Sequence, residues 1–263
     1  MATTFSDSLI TVPLLPPRHV SRPRLLADLD RAADLPFTLL CAGPGAGKTV
    51  LLTEWAQDCK AQVAWVTPGT PDIAPRRFWN LLESALPDLD GKDHGGTGAV
   101  RDGVADAVLD PVQLLLSQVR DPGAPLVVVI DDAHLLTHPE ILDGLDRLAR
   151  GWHQGLRLIL AARSDPLLPL HKYRLAGQMA ELRAADLAMT PAEIREVLAV
   201  HGVSLPKREV DVLVARTEGW AAGVRLSAMR MEGTERPADF VSQLALDAGS
   251  IGEYLVEIGR AHV

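Results

Sequence analysis

The residues best suited to chemistry lie in Phe37 to Thr53, FTLLCAGPGAGKTVLLT. Five residues suited to a buried strand end at Cys41, a glycine-rich turn runs from Ala42 to Gly47, and Lys48-Thr49 opens a helical pattern. Glycines at 43, 45 and 47 let successive backbone N–H groups aim at one point, and the positive end of the following helix adds to the field there. Such a cradle suits a polyphosphate. Lys48 can reach β- and γ-phosphate oxygens, and the Thr49 hydroxyl can ligate a Mg²⁺ ion that bridges them. Together they specify a nucleoside triphosphate, with ATP or ADP and Mg²⁺ as the expected ligands. The expected nucleotide-binding residues are Gly43, Pro44, Gly45, Ala46, Gly47, Lys48, Thr49 and Val50. The strict form of the pattern has glycine where this chain has Ala42, and a Cβ is tolerated there at negative φ. A glycine-rich strand-to-helix connection with no ligand would explain the glycines but not Gly47-Lys48-Thr49.

A Mg-nucleotide site next needs a carboxylate at the end of a hydrophobic strand. LVVVI, Leu126 to Ile130, ends in Asp131-Asp132. Neighbours on a strand face opposite ways, so the two acids divide the work unless the strand has already ended: Asp131 for the metal with Thr49, Asp132 for the attacking water. A solvated strand end is the plain rival for any acidic pair. A second apolar run, LRLILAA at Leu156 to Ala162, ends in Arg163, whose guanidinium could bond a γ-phosphate. On position alone, a structural ion pair explains Arg163 equally well. His134 reads as a polar packing residue, since the histidines show no metal-ligand spacing.

These residues need a scaffold that brings strand ends together. The order of strand, loop, helix and strand, with Gln62 to Val66 as the second strand, predicts an α/β fold: a P-loop NTPase with a parallel sheet flanked by helices, followed by a small helical domain. Ahead of it, residues 1–24 predict an extended arm, proline-rich from Ile10 to Arg24. Residues 25–170 form the expected ATPase core, with helical spacing at Leu25 to Ala33, Arg76 to Leu86 and Val112 to Val119, and a polar insertion after Asp88. Residues 171–235 predict helices, one of them opened by the capping box Thr190-Pro191-Ala192-Glu193.

Composition narrows the function. With 26 basic against 34 acidic residues and a net charge of -8, nonspecific adhesion to nucleic acid or an anionic membrane is disfavoured. Two cysteines make no disulfide framework, and no apolar run approaches a membrane span. A cytoplasmic protein is expected.

With these pieces placed, the chain resembles the STAND class of signal-transduction ATPases, and within it the nucleotide-binding module of maltose-activator-like, LuxR-type bacterial transcription regulators. The matching segments include PPRHVSRPRLL, AGPGAGKTVLLTEW, LVVVIDDAH, LRLILAARSDPLLPL, ELRAADLAMT and ARTEGWAAGVRLSAM. The resemblance implies that Val20 and Arg22 lie in an arm covering the adenine, that Asp131 serves Mg²⁺ and that Arg163 is a sensor arginine. It also implies self-association of the full-length protein, with DNA bound only through a C-terminal domain beyond this chain. Two departures are the PGTPD segment and the insertion after Asp88. Residues 236–257 would begin a truncated winged-helix segment. Glu257 to Val263 also read as the in-frame translation of a common sequencing adapter, so 258–263 are expected to be an adapter-derived tail, against a natural end as the rival. The expected function is an ATP/ADP-binding switch with slow hydrolysis, in which Lys48, Asp132 and Arg163 act on the triphosphate. The rivals are a phosphotransferase acting on a small substrate and a nucleotide-binding scaffold that does not hydrolyse.

Overall fold

Four of the five residues in Leu126–Ile130 are β-branched, which suits a strand covered on both faces, and all five are buried. That strand is the third of five in a parallel sheet flanked by helices. The structure, a computed structural model, describes residues 7–86, 112–113, 125–151 and 155–246. The insertion expected after Asp88, most of the helix expected at 112–119, and everything beyond 246 lie outside the described residues.

In chain order the elements are α1 (Pro23–Ala32), β1 (Phe37–Cys41), α2 (Lys48–Asp58), β2 (Gln62–Val66), α3 (Pro75–Ala85), β3 (Leu126–Ile130), α4 (Pro139–Arg150), β4 (Leu156–Ala162), α5 (Leu170–Leu175), β5 (Met179–Arg183), α6 (Ala184–Leu187), α7 (Pro191–Val200), α8 (Lys207–Thr217), α9 (Ala221–Met231) and α10 (Pro237–Leu246). Short 3-10 turns occupy Asp7–Leu9 and Ala133–Leu135. The sheet order is β2-β3-β4-β1-β5. In register, Gln62 stands opposite Leu126 and Leu126 opposite Leu156, so β2, β3 and β4 run parallel and start level with one another.

The first four strands have the bounds predicted from sequence. Beyond Leu170 the pattern predicts helices only, yet Met179–Arg183 is a strand at the free edge beside β1. Only Leu182 in it is buried, so it lacks the run of buried residues that marks the other strands.

The described residues fall into two compact units. One lies within Met1–Pro13, Asp30–Leu40 and Ala56–Glu181, the other within Leu14–Leu29, Cys41–Trp55 and Leu182–Val263. In the first, α3 lies against β2 and α4 against β4. A Cβ at Gly144 in α4 would overlap the Trp79 ring of α3, so a glycine is required where these helices touch. Tyr173 of α5 stacks on Phe37 of β1 at 5.4 Å, and its hydroxyl donates to Asp146 Oδ1 at 2.6 Å. Burial and that carboxylate push the Tyr173 phenol up from its ordinary value, so it stays a donor.

The second unit has its own core, with Ile194 and Leu198 of α7, Val210 and Leu213 of α8, and Val224, Ala228 and Met231 of α9. The predicted capping box is present: the Glu193 amide donates to Thr190 Oγ1 at 3.3 Å and the Thr190 amide to Glu193 Oε2 at 2.8 Å. No helix among the described residues is long and apolar enough to cross a membrane.

Candidate nucleotide site

The glycine-rich loop belongs to the second unit. Two of its glycines have left-handed backbones, Gly45 at φ +74° and Gly47 at φ +86°, where a side chain would be strained. The buried Lys48 turns back over the loop, its Nζ donating to Ala42 O at 2.7 Å and to Gly43 O at 3.1 Å. This folds the ammonium into the loop's concavity, with Thr49 and Val50 on the first turn of α2. A loop with two left-handed glycines and an inward lysine at a helix N-terminus fits a polyphosphate. Pro44 and Gly45 are exposed, and Ala46 is half-buried.

The arm residues implied by the resemblance also lie in this unit. Val20 packs against the helical core. The buried Arg22 guanidinium donates to both oxygens of Glu193 at 3.3 Å and to Ala188 O at 3.1 Å. Arg24 joins it, with Nε 3.0 Å from Glu193 Oε1. Burial pushes the Arg22 guanidinium down, and pairing with Glu193 only partly offsets this. Burial also pushes the Glu193 carboxyl up, but the Thr190 amide and the two guanidinium groups outweigh it and hold it below the usual carboxylate range. With its carboxyl held below the usual range, Glu193 is ionised at neutral pH and pairs with guanidinium groups that keep their charge.

Asp131, Asp132 and Arg163 belong to the first unit. β3 has ended at Ile130 when the two acids begin, and they differ in setting. Asp131 is buried, its amide donating to Val66 O at 2.9 Å and its Oδ1 accepting from the Asp132 amide at 2.9 Å. Asp132 has a left-handed backbone at φ 50°, and its half-exposed carboxylate stands 3.7 Å from His134 Nδ1. Arg163 leaves the carboxyl end of β4, next to β3, and is exposed. Among the described residues it makes no hydrogen bond or ion pair, so its structural rival finds no partner there.

Two contacts on the loop have no counterpart in the sequence reading, those of Trp220 and Ala222. Trp220 Nε1 donates to Pro44 O at 2.9 Å, and the Ala222 amide donates to Gly45 O at 2.9 Å. The signal available was an aromatic residue opening a helix directly after a glycine, which also describes an ordinary core anchor.

A parallel sheet whose β1 runs into a Gly-Lys-Thr loop, with acids following the apolar β3 one strand beyond the adjacent β4, defines a P-loop ATPase fold. A family model described as an AAA domain matches residues 33–168, more than half of the chain, and the chain belongs to that family. It is 31% identical over 248 residues to the HTH-type transcriptional regulator MalT of Serratia proteamaculans, covering 93% of this chain and 27% of that protein. The MalT of Yersinia enterocolitica is 28% identical over 242 residues, again 27% of its length. The chain thus spans about a quarter of the curated relatives it matches. In fold it is similar to a Walker-type ATPase of Pyrococcus abyssi, with TM-score 0.58, 14% identity, and 95% of this chain and 76% of that one covered. Cdc6p of Pyrobaculum aerophilum is also similar, with TM-score 0.51, 16% identity, and coverage of 87% and 68%.

Proposed function

We propose that this chain is the nucleotide-controlled switch module of a MalT-like transcription regulator, binding ATP and ADP in the cytoplasm and hydrolysing ATP slowly. The observation that carries the reading is the Lys48 loop, with its two left-handed glycines, in a chain whose relatives are named as transcription regulators. Residues 43–50 hold the phosphates, and Val20 and Arg22 belong to the arm over the base. Because the Arg22 guanidinium is engaged by Glu193, its share in that cover falls to its backbone and aliphatic stem. Thr49 and Asp131 would hold Mg²⁺, which when bound neutralises charge on the phosphates. Asp132 orients the attacking water and accepts its proton on a carboxylate oxygen. Arg163 senses the γ-phosphate. Self-association and DNA binding belong to the whole regulator. Identifying the nucleotide carried by freshly purified protein tests the reading, and protein that carries none and takes up neither ATP nor ADP overturns it.

The different settings of the two acids support a division of labour. Asp132→Asn keeps ATP affinity and slows single-turnover hydrolysis by about 10²-fold or more, because an amide is a poor proton acceptor. Asp131→Asn raises the Mg²⁺ concentration needed for binding. Identical behaviour of the two variants refutes the assignment, unchanged hydrolysis with Asp132→Asn removes Asp132 from the step, and wild type that binds ATP without hydrolysing it favours a scaffold.

Arg163→Ala narrows the preference between ATP and ADP, since a group that touches only the γ-phosphate can shift a switch only through its differential affinity for the two ligands. The loss expected for one charge-assisted hydrogen bond is about tenfold in the ratio of dissociation constants. An unchanged ratio removes Arg163 from the site.

A further inference from the structure

The phosphate loop is gripped by its own unit. Besides the Trp220 and Ala222 bonds to Pro44 O and Gly45 O, a Cβ placed on Gly45 would stand 2.6 Å from the Ala222 Cβ and 2.9 Å from Trp220 Nε1. The middle glycine is therefore required by the protein on this face of the loop as well as by its φ of +74°.

The grip is itself built into the fold. Trp220 caps α9 without a side-chain hydrogen bond to the helix, and the Ala222 amide is one of the first-turn donors that a helix cannot satisfy internally. The loop carbonyl takes that donor. Trp220 is held in turn by its backbone N–H, which donates to Thr217 O at 2.8 Å. The preceding Gly219 has φ +72°, and a Cβ there would be 2.7 Å from both Met189 N and Met189 O. Little freedom remains at this turn.

Trans peptide geometry carries this grip to the other face of the loop. The Pro44 carbonyl and the Gly45 N–H belong to one planar unit and point in opposite directions, as do the Gly45 carbonyl and the Ala46 N–H. Both bonds are trans, since no described peptide is cis. Drawing the two carbonyls toward α9 therefore turns the Gly45 and Ala46 N–H groups the other way, as a pair.

We propose that Trp220, with the Ala222 amide, is a positioning residue that presets the Gly45 and Ala46 N–H donors for phosphate oxygens. The proposal rests on the nucleotide reading above. Donors already aimed spare the ordering cost that a free loop would meet on binding. Trp220→Phe keeps an aromatic ring at the site and removes only the indole donor, so the 44–45 peptide can rotate. The effect should follow the phosphates and not the base.

The test is titration of the whole chain, wild type and Trp220→Phe, with Mg-ATP and with inorganic tripolyphosphate alone. The variant is expected to bind both more weakly by a common factor of about three- to tenfold, the worth of one net hydrogen bond. Its melting temperature without ligand falls by no more than a few degrees, the loss of one exposed hydrogen bond, so both proteins are folded where the affinities are compared. Equal affinities in wild type and variant overturn the proposal. So does a loss confined to Mg-ATP, which would place Trp220 at the base or sugar. Wild-type protein that binds neither probe overturns the nucleotide reading, and the positioning role with it. Should Trp220→Phe not fold, 5-fluorotryptophan incorporated at position 220 alone supplies the readout. Its ¹⁹F resonance shifts on addition of tripolyphosphate if the indole holds the loop, and a resonance that stays in place overturns the proposal.

Discussion

Lys48→Ala is expected to remove nucleotide binding, lowering affinity by about a hundredfold or more, since the lysine supplies charge-assisted hydrogen bonds to two phosphate groups. The Lys48 ammonium is held by Ala42 O at 2.7 Å and Gly43 O at 3.1 Å. The variant therefore also loses part of the loop's support, and its own melting temperature falls somewhat. What decides is the difference with and without ligand. Wild type gains about 2.7 kcal/mol at a hundredfold excess of Mg-ATP over its dissociation constant, a rise of roughly 5–10 °C for a domain of this size. The variant gains nothing measurable. Equal shifts in the two proteins would show that the ligand sits elsewhere.

How much of the molecule is legible in its sequence depends on the range of the interaction that makes each part. β3 is a continuous apolar run, and β4 is one broken only by Arg157, as suits a sheet flanked by helices, and their bounds in the structure are those read from sequence. The capping box at Thr190 is equally local, three residues closing on each other. β5 is not legible, because a partly exposed edge strand pairs on one side only and need not be apolar throughout. Helix α4 carries a strong apolar stripe, Ile141, Leu142, Leu145 and Leu148, which is absent from the helices expected above. At the site, the glycines, Lys48 and Thr49 are adjacent in sequence, so the motif is visible. The contact of Trp220 with Pro44 joins residues 176 positions apart, and that of Arg22 with Glu193 joins residues 171 apart. Neither leaves a local pattern. Arg22 shows the cost most plainly: the resemblance implies a role over the base, while its guanidinium spends its hydrogen bonds on a carboxylate and a carbonyl in the helical unit.

That carboxylate carries the second large expected effect. Glu193→Gln keeps the side-chain volume and can keep the capping box, which accepts glutamine at this position, so the substitution isolates the charge. It leaves the buried Arg22 without its counter-ion, and breaking a buried pair from one side costs more than the pair contributes net. Arg24 is 38% exposed and can turn to water, and Arg22 still reaches Ala188 O, so the expected loss is about 3 kcal/mol, at the low end for such a break. Acid dependence gives an independent check on the cause. The folded Glu193 carboxyl lies below its ordinary value of 4.5, so the unfolded chain takes up the proton first as pH falls. The pair's contribution is therefore complete above that ordinary value and disappears as pH drops through the lower, folded one. Urea unfolding of wild type and Glu193→Gln at a series of pH values should show a constant gap near neutrality and a gap that closes in acid below about pH 4.5. A gap that persists undiminished to the lowest pH would assign the loss to packing or capping and not to the ionised pair with Arg22.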